Sequence, residues 1–258
     1  MWDTFIGLFI NALLLIYQNV GNFGVAIILF TILVRLITHP LTVKQLKGAA
    51  AMQDMQKNKR WLDIQAKHKN EKERLAQEQM KLYKELGINP MASCLPTLLQ
   101  FPIIIGLYQA VIQALASTPI ELLSLARHAY PSLVNVAAII PLNSQFLWMD
   151  LGQPERLFLP FLPVGIPILA IVVVASTYVQ SKLMQPASSS SSDQGAMMGN
   201  MMNIYMPFLM GYLALTLASG LALYFLVSNL VGILQYALMG KVNWKNLLPS
   251  NKPAVKTK

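Results

Sequence analysis

The chain is short of nearly everything a soluble catalyst is built from. It has one cysteine, three histidines and eleven acidic residues in 258, and 12% of its residues are charged. Cys94 has no partner for a disulfide and no second thiolate for a metal cluster, so it reads as a packing residue at the start of an apolar segment. No phosphate-binding loop occurs either. Neither a nucleotide nor any other cofactor is expected, and the chain does not read as an enzyme.

What it has instead is apolar length. Hydrophobic residues make up 55% of the chain, and its mean hydropathy is +0.48, which places it in a bilayer. Apolar stretches at 20–41, 92–116, 158–183, 201–218 and 221–239 each approach the roughly 20 residues that cross about 30 Å of hydrocarbon. The expected architecture is therefore all-α and polytopic, with five transmembrane helices in one membrane domain, residues 1–240, and a basic tail, 241–258. Eleven Lys and Arg lie between 41 and 90, Lys182 follows the third span, and five lysines lie in the tail. The loop 117–157 holds only Arg127 and Arg156. The excess of positive charge puts that loop and the N-terminus outside, with the hairpin and the C-terminus in the cytoplasm.

The opening residues lack a basic leader and carry Asp3, so they do not resemble a cleavable signal. Trp2, Phe5, Leu8, Phe9, Ala12, Leu13 and Ile16 recur at helical spacing, with Asn11 and Gln18 elsewhere, which suits an interfacial helix over 1–19 on the outer surface. A sixth span is the alternative. Residues 42–89 read as a cytoplasmic helical hairpin with arms at 44–68 and 71–87. Leu75, Gln79, Leu82, Tyr83 and Leu86 of the second arm should face Met55, Leu62 and Ala66 of the first. Eleven basic and six acidic side chains make the hairpin either a solvated topology signal or a docking arm. The lysines of the tail suit anionic lipids or ribosomal RNA. Met198, Met202, Met206 and Met210, four residues apart, fit buried packing or an adaptable surface for other chains.

No aspartate or glutamate occurs in the five spans, so Arg35, inside VGNFGVAIILFTILVRLITHPL, has no carboxylate at its depth. An arginine stays protonated, and at the centre of a helix in lipid it costs about 2.5–3.5 kcal/mol on insertion scales. Proton-coupled carriers place Asp, Glu or His along the path, and a lone His39 near the interface forms no relay. Arg35 lies about 22 Å along the helix from Val20, so it either snorkels to the nearer interface or faces a water-filled recess. Thr31 stands one turn above it, and Gln100, Asn203, Tyr224, Ser228, Asn229 and Gln235 supply polar groups from other spans. Val25 to Phe30 supply none, so a recess should end there, open inward and closed outward. Pro96, Pro102, Pro163, Pro167 and Pro207 should loosen the surrounding helices.

In GNFGVAIILFTILVRLITHPLT, LYKELGINPMASCLPTLLQFPIIIGLY, FLWMDLGQPERLFLPFLP and SGLALYFLVSNLVGILQ, taken in order, the chain resembles the YidC family of membrane protein insertases, to which the Oxa and Alb insertases of organelles also belong. These blocks cover residues 20–240. The resemblance implies an inward-open polar groove in a bacterial inner or plasma membrane protein. Arg35 matches the groove arginine, and Thr31 and Gln100 match further groove positions. Tyr224 and Phe225 match an aromatic pair that contacts clients, with Asn229 beside them. Nascent membrane proteins are the implied clients, and the Sec translocon, the ribosome, the signal recognition particle receptor and anionic lipids are candidate partners of an expected monomer. A noncatalytic assembly chaperone, or a solute or ion pathway using Arg35 as an anion site, would use many of the same residues. Ala218 stands where many relatives have proline, and His39 replaces an aromatic or aliphatic residue before Pro40. The resemblance is to the short form, which is expected to lack the large extracytoplasmic domain of some Gram-negative relatives.

Overall fold

Two residues, Gly21 and Asn22, turn the first apolar helix back onto the second. Gly21 takes a φ of +74°, which side-chain-bearing residues rarely adopt, and its N–H donates to the Tyr17 carbonyl at 2.7 Å. The Asn22 side chain then accepts the Val25 N–H at 3.1 Å and caps the next helix. In the computed structural model this joins α1 (Trp2–Val20) to α2 (Phe23–Gln56). The structure describes residues 2–56, 58–68, 71–87, 95–115, 125, 127–130, 139, 142–158, 165–184 and 193–240. Of these, 2, 45–56, 72, 95–99, 184 and 193–203 are described by their backbone alone.

The Tyr17 and Phe23 rings lie 6.0 Å apart and the Phe9 and Phe30 rings 5.3 Å apart, so the two helices run antiparallel. Ile6, Phe9, Ile10, Leu13, Leu14 and Tyr17 are the buried face of α1. This differs from the expected apolar stripe, because α1 packs against α5 (Leu95–Ala114) as well as α2. Leu8 points outward, while Asn11 is 4% exposed. Burial obliges that amide to find partners. It donates to the carbonyls of Gly7 and His128 at 2.6 and 2.8 Å and accepts the Tyr130 N–H at 2.7 Å.

The second difference is in α2, which runs 34 residues without a break, through Pro40. The first span and the start of the hairpin arm are one helix, because LTVKQLKGAAAMQDMQ is rich in helix formers and one proline removes only one backbone bond. The next helix, α3 (Lys59–Lys67), begins at Asn58, whose side chain accepts the Arg60 N–H at 3.0 Å. Trp61 and Leu82 are the buried pair joining α3 to α4 (Lys72–Glu85), with Ile64 and Tyr83 packed on them. Leu62 and Ala66 face solvent instead, so the contact face of the first arm is rotated by one residue. Trp61 and Tyr83 meet edge to face at 5.6 Å, and partial burial pushes the Tyr83 hydroxyl above its ordinary range. The turn at Lys69 and Asn70, the side chain of Met55, Cys94 and the tail 241–258 lie outside the described residues.

Further along lie α6 (Ile168–Met184), α7 (Asp193–Thr216) and α8 (Ser219–Leu238). α8 is the central post, packed on α2, α5, α6 and α7. Among the described residues three helices, Asp3–Val20, Phe23–Lys44 and Ser219–Leu238, are long and apolar enough to cross a membrane, and the apolar stretches of α5, α6 and α7 are shorter.

A small antiparallel hairpin, β1 (Gln145–Phe146) and β2 (Met149–Asp150), begins a cap over one end of this bundle. The first N–H groups of a helix have no partner of their own. Here the cap supplies them, since Ser219 N–H donates to Gln153 O at 2.8 Å and Gly220 N–H to Leu151 O at 3.0 Å. The Ser219 hydroxyl adds a bond to Asp150 O at 2.6 Å. A Cβ at Gly220 would lie 3.0–3.2 Å from Val111, Ile27 and the Leu151 carbonyl, so glycine eases the close approach of α2, α5 and the cap there. We call this the capped end, and the opposite one, where α3 and α4 lie, the hairpin end.

Ala218, just before α8, has a φ of −53°, within the range that proline imposes, and its N–H makes no hydrogen bond. Ala218→Pro should therefore stabilise the protein by about 0.4–1 kcal/mol through the unfolded chain. Thermal unfolding in detergent checks this, and a lowered Tm would show that the junction needs the freedom alanine leaves.

Candidate functional site

α2, α5 and α8 are buried toward the capped end and more open toward the hairpin end, while α6 keeps Leu183 buried near the hairpin end. On α2 the buried residues are Phe23, Gly24, Ala26, Ile27, Phe30 and Thr31, and none follows among the described side chains. On α5, Ile104, Leu107, Ala110, Val111 and Ala114 are buried, whereas Phe101 and Pro102 nearer the hairpin end are exposed. α8 is buried continuously from Ser219 to Phe225, but beyond Ser228 only at Gly232 and Gln235. The apolar core is thus a plug filling the capped half.

Arg35 lies at the border of this plug. Ile27 and Gly220 mark the same level near the cap, and Arg35 and Ser228 each lie eight residues further on, about 12 Å along their helices. Ser228 is near the middle of a 20-residue helix, so the guanidinium sits opposite the centre of α8. Its Nε donates to the Ser228 hydroxyl at 2.9 Å, and its Nη2 donates to the same oxygen. Among the described residues no carboxylate pairs with it. The snorkelling alternative does not describe this side chain, which is half-buried and turned sideways onto α8. One turn further, Gly232 leaves room for Gln180 of α6, since a Cβ there would lie 2.5 Å from the Gln180 amide nitrogen and 3.9 Å from Arg35 Nη1. Gln235 donates to the Arg35 carbonyl at 3.1 Å, and its own amide oxygen is buried without a partner.

The other expected residues divide into those that share this site and those that frame it. Tyr224 accepts a hydrogen bond from Gln100 at 2.7 Å, tying α5 to α8 one turn from Ser228. Thr31 is fully buried and its hydroxyl donates to the Ile27 carbonyl of its own helix at 2.6 Å, so it marks the floor of the site and offers no free group. Asn229 turns away from Arg35, donating to Ser176 and Thr177 of α6 at 3.0 and 2.8 Å. Phe225 packs against Tyr224, ring centres 5.8 Å apart, and both are buried. The side chains of Asn203, Met198 and Met202 lie outside those described. Gly232, Gln180, Ser176 and Thr177 were not singled out from the sequence. Ser228 and Gly232, small residues four apart on an otherwise bulky helix, were the available signal for close helix approach.

These features define the class: a multi-pass helical membrane protein with a polar cluster at mid-bundle that is open at one end. Residues 15–246 match the family described as 60Kd inner membrane protein, and the chain belongs to it. The membrane protein insertase MisCA of Bacillus subtilis is 32% identical over 242 residues, 92% of this chain and 78% of that protein. The membrane protein insertase YidC of Clostridium perfringens is 34% identical over 238 residues, 91% and 82% of the two chains. For YidC 2 of Listeria innocua the figures are 33% over 222 residues, 85% and 64%, so the match spans under two thirds of that relative. A crystal structure described as an active YidC insertase with its first transmembrane domain resolved aligns with a TM-score of 0.50 at 26% identity, over 91% of this chain and 45% of that one.

The Arg35–Ser228 contact predicts a coupled pair. Ser228→Ala should destabilise the protein by about 1.5–3 kcal/mol, the usual worth of a hydrogen bond to a charged group, and by only a few tenths in an Arg35→Met background. Thermal unfolding of the four proteins measures the coupling, and equal losses in both backgrounds would show that Ser228 acts through packing alone.

Proposed function

We propose that the chain is a membrane protein insertase, which takes hydrophobic segments of nascent membrane proteins into a recess at the hairpin end and releases them sideways into the bilayer. The observation that carries this reading is the pairing of Arg35 with a hydroxyl in a bundle whose capped half is filled. A cation held by a neutral acceptor retains most of its attraction for an anion. An acidic tail of a client, drawn to Arg35, then has only the capped half of the bundle left to cross. Burial of the client's apolar segment in lipid drives the rest, at roughly 25 cal/mol per Å² removed from water, with no nucleotide or cofactor. The names of the relatives support the same activity.

The hairpin end faces the cytoplasm in this account, because eleven basic residues lie in 41–90. Tyr224 and Phe225 are buried, so a client reaches them only when α5 or α7 moves away from α8. The Gln100–Tyr224 bond is one of the ties that such parting breaks. A solute or ion pathway is disfavoured by the plug, where Phe23, Ile27, Leu107, Leu151 and Leu221 are all fully buried and offer no polar route to the capped end.

Purified protein in liposomes should protect the translocated tail of a single-span client with an acidic N-tail from protease more than empty liposomes do. Arg35→Ala should lower that protection several-fold and Arg35→Lys should retain much of it. No protection above empty liposomes would move the chain to an assembly chaperone, and equal protection by wild type and Arg35→Ala would remove the electrostatic step.

A further inference from the structure

The capped end carries a second apolar site. At the tip of the β1–β2 hairpin stand Leu147 and Trp148, which are 73% and 51% exposed. Leu147 has a φ of 56° and is the only non-glycine with positive φ among the described residues. Two-residue hairpin turns that need positive φ at their first central position favour glycine there, and a branched side chain held in that region costs about 1–3 kcal/mol. Water gives no reason for a strained, exposed leucine at this position.

The surroundings hold the tip in place. A methyl group at Gly24 would fall 2.2 Å from the Phe146 ring, so that ring lies flat on the first turn of α2. The Trp148 indole N–H donates to Glu155 Oε1 at 2.9 Å. Glu155 is buried, and its Oε2 accepts the Leu169 N–H at 3.1 Å in the first turn of α6. The one polar group of the indole is thus used inside the protein.

Between the tip and the helices lies a recess of about 180 Å³, lined by Phe146, Leu147, Trp148, Val172, Leu223 and Leu226 among others, all apolar. A recess without polar partners does not hold water well. Val172 belongs both to this recess and to the exposed face of α6 with Ile171, and Leu226 lies one turn from exposed Leu230 on α8. In a multi-pass protein those outward faces are covered by lipid, and the recess is continuous with them.

We propose that the Leu147–Trp148 tip and the recess behind it bind a hydrocarbon chain of a phospholipid in the leaflet at the capped end. The leucine and the indole dip below the headgroups, as aromatic side chains do at membrane interfaces, and fix the depth of the cap. The inference rests on the membrane location and stands apart from the insertase reading.

The test uses the full chain with Trp2→Phe, Trp61→Phe and Trp244→Phe, reconstituted in phosphatidylcholine vesicles that carry nitroxide-labelled acyl chains. Trp148 emission should be quenched several-fold more by the acyl-chain nitroxide than by aqueous iodide, and Leu147→Asp should reverse that order. Leu147→Gly relaxes the turn, so it should hold or raise the Tm while weakening lipid quenching, which separates lipid contact from folding. Dominant quenching by iodide in the Leu147 protein would overturn the proposal. So would a photocrosslinker at position 147 that captures a client segment or a second copy of the chain in place of lipid.

Discussion

The Arg35 guanidinium meets a hydroxyl where most buried cations meet a carboxylate, and the rest of the molecule is arranged so that this can persist. A permanently charged group at mid-bundle needs acceptors, and one serine oxygen taking two N–H groups is a modest supply. The remainder has to come from water or from another chain. That requirement explains the asymmetry of burial: were the hairpin half packed like the capped half, the charge would be stranded, and were the capped half open too, nothing would separate the two sides of the membrane.

The closed half depends in turn on the cap. Carbonyls of residues 150, 151 and 153 take up the first donors of α8, so the helix that carries Ser228 is fixed at its start and its register against α2 is set. Glycines at 24, 106 and 220 let the Phe146 ring, the Phe5 ring and Val111 approach backbones directly, which makes the plug dense. By contrast, ties across the open half are single polar bonds such as Gln100–Tyr224 and Gln235–Arg35 O. Each exchanges for a bond to water or to a client at little net cost, of order 1 kcal/mol. A bundle rigid at one end and loosely latched at the other can part its helices without unfolding.

Much of this was legible in the sequence. The absence of acidic residues from every apolar segment isolated Arg35, and the bare stretch from Val25 to Phe30 falls in the part of α2 that carries its buried residues. Apolar periodicity does not report how many neighbours a helix has, however. Contact with both α2 and α5 rotated the buried face of α1 and drew Asn11 inward to fasten residues 128 and 130, and no local pattern encodes that loop. The hairpin face missed by one residue for a related reason: Trp61, a large residue beside charged neighbours, won the buried position over Leu62. Gln180 could not be linked to Arg35 from sequence, because their proximity is created by the missing side chain of Gly232 on a third helix.

The central claim is that water reaches Arg35 from the hairpin end and stops at Thr31. In a Cys94→Ser background, single cysteines replacing Ile27, Phe30, Val34, Thr38 and Thr42 would be labelled with a membrane-impermeant maleimide from each side of sealed vesicles. The account predicts labelling at 34, 38 and 42 from the hairpin side only, and none at 27 or 30 from either side. Labelling at 27 or 30 would contradict a closed plug, and protection of 34 and 38 from both sides would show that Arg35 lies in a dry bundle with no recess at all.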